Sequence, residues 1–178
     1  FLLSRLFDGN TLLRSYNNGY AQIDAFLEDY AASALALLSL YQADFNPEWL
    51  HQAQMILDRM LELFFDSQRG FFDTRANRPD LLTRVVQIDD NATPSGSALA
   101  VYTLLIAASL SDHPEYTQIA SKCLANAQFK INSYPAGFGY WLQALDFFQG
   151  PVQQVAVVWP EDQTIAGKVK RLLNRAYH

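Results

Sequence analysis

Two acidic pairs, Glu28-Asp29 and Asp89-Asp90, open or precede strongly apolar segments of this chain. Paired carboxylates can divide acid and base duties on a glycosidic bond when their surroundings separate their pKa values. Asp29 and Asp90 are therefore the candidate catalytic residues. Both also suit a helix start, where a carboxylate accepts free backbone N–H groups. That structural duty is the competing reading. Tyr30, Phe72, Tyr140 and Trp141 supply rings for a sugar-stacking wall, or else for the core. Arg14 and Arg84 can bind an anionic group or pair with these carboxylates. With Glu28, they complete the candidate substrate-binding set.

Other chemistries find little footing. His51 falls on the polar face of an amphipathic segment, His113 at a helix start and His178 at the chain end. None is placed for proton abstraction, and no metal-ligand cluster exists. Cys123 lies on an apolar stripe and reads as a structural thiol. Gly-rich phosphate loops and Ser-His-Asp spacing are absent. No cofactor and no metal is expected.

Composition narrows the class further. The 178 residues are 50% hydrophobic and carry a net charge of -5. That length supports one sizeable core, and the acidic balance disfavours nucleic acid. The single cysteine fits a reducing compartment, so a cytoplasmic location is expected. The longest apolar run, 98–110, is too short to span a bilayer, and no membrane partner is expected. Phe1-Leu2-Leu3 lacks a basic leader and does not read as a signal peptide. The start without Met reads as a fragment or a processed product.

The elements that must position these residues come as a repeat. Gly70-Phe71-Phe72-Asp73 is echoed by Gly137-Phe138-Gly139-Tyr140, and Asn46-Pro47-Glu48-Trp49 by His113-Pro114-Glu115-Tyr116. Both echoes are offset by 67 residues. A constant offset across two motifs marks a repeated supersecondary unit, here about 27–73 and 94–140. Asn17-Asn18-Gly19 between short strand-like runs predicts a hairpin. Residues 27–41 and 93–110 predict helices apolar on nearly every side, hence buried. Asn46-Pro47 and His113-Pro114 each open an amphipathic helix with an outward polar face. The order buried, amphipathic, buried, amphipathic suits αα-hairpins in an inner and an outer ring, and a solenoid is the structural competitor. Loops preceding the inner helices would then converge on one end of a cavity. A further inner helix is predicted over 140–148, ended by Gly150-Pro151. A strand over 152–159 and a basic helix over 161–176 follow.

Several stretches in order resemble a known family. They are Leu12-Leu13-Arg14-Ser15-Tyr16, Ala25-Phe26-Leu27-Glu28-Asp29-Tyr30-Ala31, Gly70-Phe71-Phe72-Asp73-Thr74, Asp90-Asn91-Ala92-Thr93-Pro94-Ser95-Gly96, and Ala144-Leu145-Asp146-Phe147 before Gly150-Pro151. Over nearly the whole chain they resemble the C-terminal part of the YyaL-like, spermatogenesis-associated family of thioredoxin-domain proteins. The resemblance implies a thioredoxin-like domain ahead of a six-hairpin helical toroid related to sugar epimerases and glycosidases. N-acylglucosamine epimerases of that kind use cavity histidines, which this sequence lacks. Two departures stand beside the expected pocket. Ser97-Ala98 follows Pro-Ser-Gly where the family has Asn-Ser, and Arg84-Val85-Val86 stands in place of Arg-Pro-Lys.

The expected fold is mostly α: αα-hairpin repeats forming part of an (α/α)6 toroid over 1–151, with a small β-hairpin. A strand–helix appendage occupies 152–178. The leading function is a carbohydrate-active or carbohydrate-binding toroid segment. The alternative is a non-catalytic scaffold that docks a partner. Missing N-terminal parts of a parent chain, or a second copy, are expected to cover apolar surface left by an incomplete ring.

Overall fold

The computed structural model describes residues 1–76, 82–155, 167–169 and 171–173. A short π-helical turn, Leu2–Leu6, leads into a hairpin of β1 (Leu13–Asn17) and β2 (Tyr20–Asp24). Asn17 pairs with Tyr20 across a two-residue turn, with Asn18 at φ 50 and Gly19 at φ 86. Positive φ at both central positions is the tight hairpin turn that Asn-Gly favours.

Among the described residues, the body is built by α1 (Leu27–Asp44), α2 (Pro47–Phe64), α3 (Gly96–Leu110), α4 (Pro114–Ser133) and α5 (Gly139–Gln149). The fold is thus mostly helical with small antiparallel pairs. Asn46 caps α2 by accepting the Glu48 N–H at 3.1 Å, with Pro47 in the first turn. Helices α2 and α4 begin 67 residues apart, as the repeat requires. Ala53, Ile56, Leu57, Met60 and Phe64 bury one stripe of α2. Each larger side chain there contributes roughly 1.5–3 kcal/mol on removal from water.

Helix α3 is central and packs against α1, α4 and α5, while α1 also packs on α2. Leu104 and Leu105 of α3 are buried, and Asp58 of α2 is exposed. Helices α2 and α4 are joined by the Tyr116 hydroxyl, which donates to Asp58 at 2.8 Å.

Four local features differ from expectation. Helix α1 is not covered all round: Ala32, Ala36 and Leu40 form an exposed stripe at four-residue spacing. Helix α3 starts at Gly96 with Ser95 as its cap, because the Ser95 hydroxyl accepts the Ala98 N–H. The echoed turns also diverge. Gly70 lies in a hairpin of β3 (Phe65–Asp66) and β4 (Gly70–Phe71) at φ 85, whereas Gly137 ends a 3₁₀ turn, Pro135–Gly137. Residues 152–155 are exposed and form no ladder; the remainder of the expected strand, 156–159, lies outside the described residues. Of the expected final helix, 167–169 and 171–173 are helical, and the rest also lies outside the described residues.

Candidate functional site

Helices α1, α3 and α5 start at one end of the molecule because their N-termini are tied together. Gly96 lies so close to α1 that a Cβ there would stand 3.2 Å from Leu27 Cδ2 and 3.3 Å from the Glu28 nitrogen. Asp90 then links α3 to α5, accepting the Ser95 N–H at 2.8 Å and the Tyr140 N–H at 2.7 Å. A loop from β4 passes between these starts. Within it the Asp73 N–H donates to the Val85 carbonyl at 3.0 Å, and the Asp73 carbonyl accepts the Leu27 N–H at 3.0 Å.

A cleft of about 600 Å³ opens at this end, lined by Arg14, Glu28, Asp73, Thr74, Gln87 and Ser95 among others. Asp73 is half-buried. Burial lifts its carboxyl from the ordinary 3.8 to about 6; a backbone hydrogen bond from Gln87 pulls down and the charge of Glu28 pushes up. Glu28 itself is held by Arg14 at 2.8 Å. A carboxyl that titrates near neutrality beside a charge-paired carboxylate can hold a proton and pass it on near pH 6.

The expected catalytic pair occupies structural positions around this cleft. Asp29 accepts the Phe26 N–H at 2.8 Å and sits 3.5 Å from Arg14. Asp90 spends both oxygens on backbone N–H groups, as above. Tyr30 is fully buried; its ring meets Phe64 edge-on and its hydroxyl accepts the Leu12 N–H at 2.9 Å. Trp141 is buried and donates its indole N–H to the Ile88 carbonyl. Tyr140 packs edge-on against Tyr102. Phe72 carries the Arg84 guanidinium 4.0 Å above its ring. Arg84 donates to the Thr74 and Leu63 carbonyls, and burial lowers its pKa. It staples the loop that holds Asp73. The structure thus brings Arg14 and Glu28 together at the cleft, with Asp29 behind them beside Arg14, and leaves Tyr30 and Trp141 in the core.

Asp73 is the cleft carboxyl that sequence reasoning did not single out. Its counterpart in the second unit is Tyr140, so the repeat does not mark it as acidic chemistry. Its place as the last residue of Gly-Phe-Phe-Asp, directly before a long loop, was the available signal. Among the described residues, no group of three or more His, Cys, Asp or Glu could hold a metal ion. No described helix is long and apolar enough to cross a membrane.

No family model matches the chain. Curated relatives do. Over 134 residues, 74% of the chain, it is 29% identical to a rat protein and 28% identical to its human counterpart, both named spermatogenesis-associated protein 20. The chain is similar to spermatogenesis-associated protein 20. It is also 28% identical, over 155 residues and 86% of its length, to an uncharacterised protein of Caenorhabditis elegans. The chain spans 17% of the two mammalian spermatogenesis-associated proteins and 21% of the nematode protein, about a fifth of each.

Proposed function

We propose that the cleft at the starts of α1 and α3 binds a carbohydrate, and that Asp73 and Glu28 are the carboxylates that act on it. The observation that carries this reading is the meeting of the two carboxylates in one roomy cleft, with Arg14 pairing one and burial lifting the pKa of the other to about 6. Asp73 serves as the proton donor or acceptor, and Glu28 as the ionised partner. Asp29 and Asp90 position the helix starts around them. Hydroxyl and amide side chains in the lining, Thr74 and Gln87, suit a neutral polyhydroxylated ligand. In this reading the helices belong to a toroid of αα-hairpins within a longer cytoplasmic protein that also carries a thioredoxin-like domain. The parallel inner helices and the greater length of the relatives support that placement.

The test is a thermal-shift screen of neutral mono- and disaccharides on the wild type, Asp73→Asn and Glu28→Gln, with product analysis for any sugar that binds. Asp73→Asn is expected to keep binding and lose turnover. Glu28→Gln is expected to weaken both. Sugar binding and turnover indifferent to both changes would remove the reading.

A non-catalytic scaffold is the second reading. The exposed apolar stripe Ala32, Ala36, Leu40 on α1 favours it, because such a surface in a soluble protein is often covered by a partner. Light scattering coupled to size-exclusion chromatography tests it. A stable monomer without exposed-patch dye binding would count against it.

A further inference from the structure

A second cavity, of about 250 Å³, lies between the β3–β4 turn, α4 and the start of α5. Its walls are apolar: Phe71, Ile88, Ala127 and Trp141 line it, with Val86. The polar groups inside are already engaged. The Trp141 indole N–H donates to the Ile88 carbonyl, and the Ser97 hydroxyl donates to the Gln87 carbonyl at 3.0 Å. Cys123 also faces it, and burial pushes that thiol up to about 12, so it adds no negative charge.

The rim is different. Arg69, Asn126 and Lys130 all line the cavity and all are exposed. Lys122, Asn126 and Lys130 recur at four-residue spacing, which sets them on one ridge of α4. Other cations have partners: Arg14 pairs with Glu28, Arg59 with Glu62 and Arg75 with Asp24. Neither Arg69 nor Lys130 forms an ion pair among the described residues. Asp66 feels the Arg69 charge through space, but its Oδ1 is bound by the Gln68 and Arg69 N–H groups. On a chain of net charge -5, two unpaired cations and an amide at the mouth of an apolar cavity are a distinct environment.

We infer that this cavity binds a small organic anion: an apolar body seated against Phe71, Ile88 and Trp141, with a carboxylate or phosphate at the mouth held by Arg69, Lys130 and Asn126. The volume falls just under the roughly 300–1,000 Å³ of drug-sized sites, so the body is about the size of one aromatic ring. Arg69 offers a planar fork of donors that fits either anion head, while Lys130 acts as a point charge. The site shares no lining residue with the carbohydrate cleft and stands independently of it.

Benzoate, phenyl phosphate and neutral benzyl alcohol are the probes, titrated into the full chain by calorimetry. NMR follows the Trp141 indole N–H and the Cys123 amide. Benzoate or phenyl phosphate is expected to bind, to shift both signals, and to weaken as salt rises. The exposed double change Arg69→Gln/Lys130→Gln should weaken that anion by about tenfold or more, a change of about 1.4 kcal/mol. Asn126→Asp, which adds a like charge at almost constant volume, should weaken it as well. Three results would overturn the inference: neither anion binds, benzyl alcohol binds as tightly as the anions, or the rim variants bind them unchanged.

Discussion

The Asp73 carbonyl accepts the N–H of Leu27 at 3.0 Å, so the loop that carries Asp73 ends one of the unpaired backbone donors of α1. The N–H of the same residue donates to the Val85 carbonyl. Asp73 is thereby fixed from both sides, and the backbone hydrogen bond from Gln87 offsets only part of the burial of its carboxyl, which the charge of Glu28 pushes further up. Its titration should be visible in stability. The folded state holds this proton more tightly than the unfolded chain, since the folded pKa is about 6 against an ordinary 3.8. The contribution is complete below pH 3.8 and is lost as pH rises through 6. About 1–2 kcal/mol is expected once solvent screening of a half-buried group is allowed for. Urea unfolding of the wild type and Asp73→Asn at pH 4 and pH 7.5 checks it. The variant should gain relative stability at the higher pH, and a constant difference between the two pH values would contradict the assignment.

Glu28→Gln removes the charge that pushes the Asp73 carboxyl up. It also releases Arg14 from its 2.8 Å bridge. Both changes act in one direction, so the Asp73 pKa should move down toward the ordinary value. Carbon-detected NMR titration of the side-chain carboxyl reads this directly. A pKa that stays put or rises would show that the two carboxylates are not coupled.

Gly96→Ala places a methyl 3.2 Å from Leu27 and 3.3 Å from the α1 backbone. The backbone contact has little freedom to give, so α1 and α3 must part at their starts. A loss of about 1–2 kcal/mol is expected. The cleft should open as well, which a small-angle scattering comparison is too coarse to show but a crystal structure of the variant would. A variant as stable as the wild type would mean that α1 adjusts freely.

Arg84→Met keeps apolar bulk over Phe72 but removes the donors to the Thr74 and Leu63 carbonyls. Loss of hydrogen bonds from a charged group should cost about 2 kcal/mol. Amide exchange at Asp73, whose N–H bonds to Val85, should accelerate. Unchanged exchange at that amide would separate Arg84 from the order of the loop.

Much of the fold was readable where local chemistry and tertiary packing agree. Asn18-Gly19 specifies its turn by backbone conformation alone. Asn46-Pro47 specifies a helix start by capping, and the contrast between α2 and α3 follows from which faces are apolar. The exposed side of α1 was not readable, because alanine at 32 and 36 reads as apolar whether or not anything covers it. Gly70 and Gly137 share a motif yet adopt different turns, since the residues ahead of them, one set closing a hairpin and the other beginning with Pro135, differ. The cleft was legible only in part. Glu28 and Arg14 lie at a predicted helix start and a predicted hairpin. Asp73 gains its character from Leu27, Val85 and Gln87, and no spacing in the sequence foretells those contacts.

Because α1, α3 and α5 begin at the same end, their peptide dipoles align instead of cancelling, and like poles sit side by side. The positive poles gather around the cleft. Glu28 and Asp29 occupy the first turn of α1, whereas α3 and α5 carry no acid in theirs. Asp90 answers for both, touching the starts of α3 and α5 with one carboxylate. At the far end none of the three helices has a basic residue in its last turn, so none carries a cation of its own at its negative pole. The molecule is therefore polarised along the helix axes, with its carboxylates drawn to the cleft end by the backbone itself. A carboxyl in that cleft sits in a field that favours its ionised form, and at Asp73 burial opposes that field and raises the pKa to about 6.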